Sequence, residues 1–426
     1  MRITIFSRYF ELTLTNGSIA NIYSQFSLQD PHVDRNMEQA SRCKDIKSMV
    51  FKRKISGEYW KVMLMHHVSA FVYFKQGNFS SSCDAQLLVF RELKKLLEET
   101  EREEKPLTWM NNTVRVVVSE LRQVAVAADR QLEEAGQAVK HCAHVAQTLR
   151  GNIALPAFHH CYLSIAVAVM KIYFRLQSSQ KNCQAVMAQV QRKGGDDPVS
   201  TTAASASAAA AAAAAAASFS KSDQAAYAYY AGRYYILSGE YFLARERLMV
   251  ALALAPRNFG NKRRILNYLM LLNIFCFRFP TQTLRQRYDI DDGTLWGEVI
   301  GVVKSGNVLG YQQWVGRHEE FLARRGLYVL ALEGQSRVMY RLFARTFMLM
   351  REGEKQNYLY LKHLLVALQL ATSGREVTQQ EADGIFSHMI DKKWVQAYLT
   401  KQRGKEGNIA VFHKSSPFLF SNWHST

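Results

Sequence analysis

The sequence predicts an all-α solenoid of tetratricopeptide-like helical hairpins followed by a C-terminal winged helix with a small β-hairpin. Three observations carry that expectation. Small, aromatic and proline residues between Ala231 and Pro256 recur at the offsets of a helix pair, the same core pattern returns elsewhere in the chain, and the hydrophobic period drops from about 3.6 to 2 after Trp394.

Taken in order, residues 1–40 lack helical periodicity and hold the turn signals Asn16-Gly17 and Asp30-Pro31, so they form a loosely structured leader. Residues 41–193 read as N-terminal helical repeats. Leu93, Leu96 and Leu97 share one face of a helix whose acidic end runs from Glu98 to Glu104 and stops at Pro106; that run reads as a solvated helix end. Val114 to Val139 has the pattern of one long amphipathic helix. Leu163 to Leu176 has almost no polar face, as expected of a helix enclosed by neighbours.

Residues 194–222 break this pattern with Gly194-Gly195-Asp196-Asp197-Pro198 and an alanine tract from Ala208 to Ala217. Alanine favours helix but offers little side chain to bury, so this is a low-complexity insertion. Residues 223–352 resume the repeats. Ala231-Gly232, Tyr235, Gly239, Tyr241, Ala244, Leu248, Ala251 and Pro256 fit one helix pair. Gly232 and Ala244 allow close approach, Tyr235 and Leu248 fill the interhelix space, Gly239 turns the chain, and Pro256 stops the second helix. The core recurs at Tyr73, Gly77 and Phe79, with weaker echoes at Tyr173 to Ser179 and at Val302, Gly306 and Val308. One such hairpin cannot bury its own apolar face, so several must stack.

Residues 353–415 form the winged helix and 416–426 a tail. Tyr358, Leu361, Leu364, Leu365 and Leu368 line one helix face; Thr378 and Glu381 make a capping box for a second helix carrying Ala382, Ile385, Phe386, Met389 and Ile390. Alternation at Val395, Ala397 and Leu399, a turn from Gly404 to Gly407, and Ile409 with Val411 then give the hairpin.

Composition narrows the function. Hydrophobic residues are 48% and charged residues 21% of the 426, so the chain folds, and no apolar run approaches the ~20 residues needed to cross a membrane. A net charge of +18 makes a polyanion or an acidic protein the expected partner. The six cysteines form no C-x-x-C pair and read as reduced thiols. His141 with His144, and His159-His160-Cys161, lack a second paired ligand set, so no metal site is expected. Gly297, Gly301, Lys304 and Ser305 lack the Gly-Lys adjacency of a phosphate loop. No nucleophile and base stand at a recognisable spacing, and neither an enzyme nor a cofactor is expected.

Two basic clusters are the candidate nucleic-acid-binding residues. Lys392, Lys393, Lys401, Arg403, Lys405 and Lys414 surround the second helix end and the wing, where they can meet a phosphate backbone or simply protect an edge strand. Arg257, Lys262, Arg263 and Arg264 gather at a helix start, where cations oppose the dipole and can meet phosphate or an acidic peptide, or bridge adjacent helices as structural arginines.

The order of elements resembles the PCI domain shared by proteasome lid, signalosome and translation initiation factor three subunits. Asn261-Lys262-Arg263-Arg264-Ile265-Leu266-Asn267-Tyr268-Leu269, then Pro280, Leu284 and Tyr288, resembles the branch of the mRNA-export PCI subunit Thp and its signalosome-associated paralogue. Gly306-Asn307, His318-Glu319 with Phe321, Gly326-Leu327-Tyr328, Tyr340-Arg341-Leu342, Leu121-Arg122 with Ala128-Asp129, and Lys171 to Leu176 add to it. The likeness covers roughly residues 50–415; it breaks at the insertion, the leader and Phe279, where relatives favour a residue suited to a tight turn. It implies a non-catalytic subunit of a nuclear mRNA-export complex, the second TREX complex, reaching nuclear pores and partly cytoplasmic. The implied partners are a large scaffold subunit, a small acidic disordered subunit, and RNA or DNA bound without sequence preference. The alternative is a subunit of a signalosome-associated or splicing-linked complex acting through protein contacts.

Overall fold

A computed structural model describes residues 58–103, 110–176, 179–194, 219–255, 259–288, 290, 295–351, 357–372, 377–401, 408–414 and 417–418. The expectations for the leader, the alanine tract, Pro106, Pro256, the Gly404–Gly407 turn and the tail lie outside these residues. The described chain forms two compact units, 1–231 and 232–426.

The first unit holds α1 (Glu58–Lys75), α2 (Phe79–Arg102), α3 (Asn111–Glu134), α4 (His141–Asn152), α5 (Tyr162–Arg175), α6 (Ser179–Gly194) and most of α7 (Lys221–Leu237). α1 and α2 close on Phe71, Phe90, Leu93 and Leu97, all buried, and the buried Ser82 hydroxyl donates to the Ala70 carbonyl at 2.7 Å. α3 buries Val114, Val117, Val118, Leu121, Val124, Ala125 and Ala128, the stripe its sequence predicts. It ends earlier than Val139. Gly136 turns left-handed at φ +67°, and the Gln137 N–H closes on the Leu132 carbonyl at 2.8 Å. Asp129 then caps α4, accepting from the Lys140, His141 and Cys142 amides at 3.2, 2.9 and 2.8 Å. α5 is buried at nearly every position from Tyr162 to Tyr173, as its apolar sequence requires.

The ends of the alanine-rich insertion are anchored. Lys193 of α6 donates to the Ile153 and Leu155 carbonyls, the former at 2.9 Å. At the other end, Phe219 meets Tyr162 edge-on at 4.9 Å, and Asp223 accepts from Ser164 at 2.7 Å and pairs with Arg115 at 3.5 Å.

The second unit continues with α8 (Tyr241–Leu254), α9 (Phe259–Phe275), α10 (Gln282–Arg287), α11 (Leu295–Ser305), α12 (Val308–Arg317), α13 (Glu319–Arg325) and α14 (Tyr328–Arg351). The predicted hairpin is there in detail. A Cβ on Gly232 would lie 2.7 Å from Leu248 Cγ and 3.2 Å from the Ala244 carbonyl oxygen, so glycine is what permits this approach. Leu248 is fully buried in the gap, as expected, while Tyr235 is half-buried and meets the more buried Tyr234 at 5.4 Å. Ala255 is extended at φ −60°, ψ 135°, the backbone that a following proline imposes.

The glycine corners share one construction. Gly77, Gly239 and Gly306 have φ of +74°, +78° and +74°. The next residue's N–H bonds back to the carbonyl of Tyr73, Tyr235 or Val302, at 2.9, 2.9 and 3.2 Å. Each signature therefore marks a Schellman-type helix end, which needs a residue free to turn left-handed. Phe279 is not the strained turn residue that the family comparison pointed to; Phe277 is, at φ +56°.

The winged helix comprises β1 (Tyr358–Tyr360), α15 (Leu361–Ala371), α16 (Gln379–Asp391), β2 (Ala397–Lys401) and β3 (Asn408–Phe412). Thr378 caps α16, accepting from the Glu381 amide at 3.2 Å. Leu361, Leu364, Leu368, Ala382, Phe386 and Met389 are buried as the periodicity requires. Tyr358 is a correction: it belongs to a strand, not to the helix face, and the antiparallel sheet runs β1-β3-β2. Val395 lies outside β2 and bridges to Phe418.

Candidate nucleic-acid interface

The last repeat helix holds the winged helix in place. Phe343 and Phe347 of α14 insert into it, with ring centroids 6.0 Å from Phe386 for the first, and 4.3 Å from Phe412 and 5.6 Å from Phe418 for the second. Tyr340 of the same helix meets Trp394 at 6.3 Å and Phe418 at 5.6 Å. The Arg337 guanidinium lies 3.5 Å from the centre of the Trp394 ring. Burial pushes the Arg337 pKa down to about 9, which still leaves it charged at neutral pH. These rings form one buried cluster with Leu359, Leu361, Leu364 and Ala410.

On this support the wing cations take two places. Lys392 is the C-cap of α16 and Lys393 follows it at φ +55°; both are exposed, at the end of the sheet where Ala397 pairs with Phe412. Exposed Lys414 leaves β3 at that same end. Lys401 lies at the opposite end, paired with Asn408, and Arg403 and Lys405 lie outside the described residues between those strands. A five-residue strand separates the two ends by roughly 14–17 Å. The four described residues, Lys392, Lys393, Lys401 and Lys414, therefore divide between the two ends of the hairpin rather than forming one patch.

The second predicted cluster is on α9. Lys262 is half-buried, Arg263 and Arg264 are exposed, and Arg257 lies outside the described residues. Arg263 lines a cavity of about 140 Å³ with Asn267, Ile290, Leu295, His318, Phe321 and Arg325, none of which belongs to the winged helix. Next to it the Tyr268 hydroxyl donates to the Arg325 carbonyl at 2.6 Å, and Arg233 lies 5.7 Å from the Tyr268 ring centre. His318 is 3.8 Å from Glu298, which also pairs with Arg317.

The residues weighed for other chemistry are placed as follows. Gly297, Gly301, Lys304 and Ser305 lie on helix α11 rather than in a loop, with Lys304 over the Phe279 ring at 4.8 Å. His141 is buried while His144 is exposed; His159 is exposed while Cys161 is buried. Burial pushes the Cys83 and Cys161 thiols up to about 12, away from the thiolate form that a nucleophile needs. Among the described residues, no helix is long and apolar enough to cross a membrane and no three His, Cys, Asp or Glu converge as metal ligands.

The sequence reading missed the aromatic side chains of the sheet. Tyr358 and Tyr398 are 38% and 63% exposed, and both pair with Val411. The signal was present in Tyr358-Leu359-Tyr360, a strand-favouring triplet just before the first winged-helix helix.

A helical-repeat array joined through an aromatic core to a winged helix is the architecture of PCI-type proteins, and the chain has that fold class. No protein-family model matches it. It is 31% identical over 189 residues to a PCI domain-containing protein 2 homolog of Caenorhabditis briggsae, covering 44% of each chain. It is 21% identical over 315 residues to Enhanced ethylene response protein 5 of Arabidopsis thaliana, covering 73% of this chain and 70% of the relative. It is 21% identical over 260 residues to a Protein CSN12 homolog of Neurospora crassa, covering 59% and 53%. The chain spans less than half the length of the PCI domain-containing protein 2 relatives it matches.

Proposed function

We propose that this chain is a non-catalytic scaffold subunit of a nuclear mRNA-export complex of the second TREX type, and that its winged helix contacts nucleic acid. The observation that carries the reading is the hairpin with cations at both ends, held on α14 by Phe343, Phe347 and the Arg337–Trp394 stack. A phosphate backbone crossing both ends meets positive charge at each, and release of counterions makes such binding salt-dependent and indifferent to sequence. The net charge of +18 suits nucleic acid and an acidic disordered subunit alike. In this reading the helical repeats hold a large scaffold subunit, and the protein works in the nucleus and at its pores, with some in the cytoplasm.

The test is reconstitution with the scaffold and acidic subunits, followed by the change of Lys401, Arg403 and Lys405 to Glu. Assembly should persist, and binding of unrelated RNA and DNA sequences should weaken with a shallower salt dependence. Equal binding before and after, at several salt concentrations, overturns the wing contact. The likeness to a Protein CSN12 homolog supports a second reading, a signalosome-associated scaffold acting through protein contacts. Purification from cells separates the two by which large subunits accompany the chain.

A further inference from the structure

The three strands of the winged helix are Tyr358-Leu359-Tyr360, Ala397-Tyr398-Leu399-Thr400-Lys401 and Asn408-Ile409-Ala410-Val411-Phe412. Side chains alternate across a sheet, so the register assigns its faces. Leu359, Ala410 and Leu399 stand in one row and belong to the aromatic core below. The adjoining row is Tyr358, Val411 and Tyr398, and it faces away from that core. Tyr398 is 63% exposed and Tyr358 38%, on strands separated by β3 and so roughly 10 Å apart. Tyr360, two residues on from Tyr358 and on the same face, meets its ring edge-on at 5.9 Å and carries Lys362 Nζ 5.3 Å from its own ring centre.

None of these three strands carries a carboxylate, and Lys362, over the Tyr360 ring, puts a cation beside this face. Rings in the middle and a cation at the margin match a chain that has flat apolar bases along one edge and phosphates along the other. A duplex cannot use such rings, because its bases are already stacked on each other. We infer that the outer face of this sheet is a stacking platform for single-stranded nucleic acid, with Tyr398 and Tyr358 under unpaired bases and Lys362, beside the Tyr360 ring, toward the phosphates. This inference rests on the nucleic-acid reading of the wing and adds the strandedness of the ligand.

The experiment uses the full chain and fluorescence anisotropy with a labelled oligouridylate, the matching oligodeoxythymidylate, and a duplex of equal length. The wild type should prefer both single strands to the duplex. Tyr398→Ala and Tyr358→Ala should each weaken single-strand binding by roughly fivefold to a hundredfold, leaving duplex affinity and salt dependence as they were. Tyr398→Phe keeps the ring and should bind as the wild type does. Tyr398 is largely exposed, so its alanine variant should melt normally, and that measurement accompanies the titration.

Single-strand binding unchanged in both alanine variants overturns the platform, as does an equal loss for single strand and duplex. Loss of a protein partner with nucleic-acid binding intact overturns it in favour of a protein-docking face. If the Lys401, Arg403 and Lys405 reversal abolishes binding while the alanine variants bind normally, the wing contact stands and the platform falls. If the reversal changes nothing while the alanine variants lose single strands, the platform stands without the wing. A wild type that binds no nucleic acid removes both.

Discussion

The guanidinium of Arg337 lies 3.5 Å from the centre of the Trp394 ring, an arginine of the last repeat helix stacked on an indole at the base of the wing. Arg337 is only 7% exposed, so this cation has left water and the ring face is part of what compensates it. Trp394→Ala should lower the melting temperature by several degrees, with a loss of about 2 kcal/mol or more from a desolvated cation–π contact. Arg337→Lys should also destabilise, since an ammonium cannot stack flat on the indole. Thermal unfolding followed by near-ultraviolet circular dichroism reads both variants; a lysine variant as stable as the wild type would show that stacking contributes nothing.

Gly334 of α14 faces Phe275 and Tyr311 so closely that an added Cβ would lie 2.2 Å from Phe275 Cζ and 2.3 Å from the Tyr311 hydroxyl oxygen. That hydroxyl is itself committed to the Ala331 carbonyl at 2.6 Å and cannot easily move. Gly334→Ala should therefore cost about 1–3 kcal/mol by overpacking. Gly301, inside α11, meets nothing within 4 Å, and Gly301→Ala should stabilise by up to about 1 kcal/mol through helix propensity. Denaturant melts of the pair check the opposite signs.

Lys393 holds φ at +55°, with its amide bonded to the Ile390 carbonyl at 2.8 Å and the Trp394 amide to Met389 at 3.0 Å. This is a glycine position occupied by lysine. Lys393→Gly should stabilise by up to about 1 kcal/mol, and Lys393→Val should destabilise by more than that. The same glycine variant removes one cation, so it should bind nucleic acid somewhat more weakly while melting higher, a split that a purely structural lysine would not give.

Asp129 is buried, which raises its pKa, but hydrogen bonds from Cys142, His141 and Lys140 outweigh burial and hold it below the usual aspartate value. A depressed folded pKa contributes stability that is complete above the unfolded value and fades as pH falls through the folded one. Asp129→Asn should cost about 1–3 kcal/mol at neutral pH, because one cap acceptor becomes a donor facing backbone N–H groups. The gap between variant and wild type should narrow as pH falls through and below about 4. Melting temperatures taken across that range test it; a constant gap would mean that the carboxylate charge is not what matters.

How far these features could be read from sequence depended on range. The Gly232–Leu248 approach is set within a single helix pair and the Thr378 cap within one turn of helix, and their spacing was visible. β1 was not, because three residues are too few to show a period of two, and Tyr358 with Leu361 also fits a helical spacing. Arg337 and Trp394 are far apart in sequence, so nothing local announced their stack. The wing cations were visible as a charge excess, but only strand register shows that Lys393 and Lys401 stand near opposite ends of the hairpin and that Tyr358 and Tyr398 share a row across Val411.

The corners at Gly77, Gly239 and Gly306 each close on one main-chain hydrogen bond reaching back across the glycine. That bond is made by main-chain atoms alone, so the reversal of direction calls for no particular side chain at the corner beyond the glycine itself. The outward residues of each hairpin are then released from specifying the bend and can change with little effect on it. The bend and the outward surface of each hairpin are in this way specified by different residues, the corner by its glycine and the surface by side chains that take no part in the closing bond.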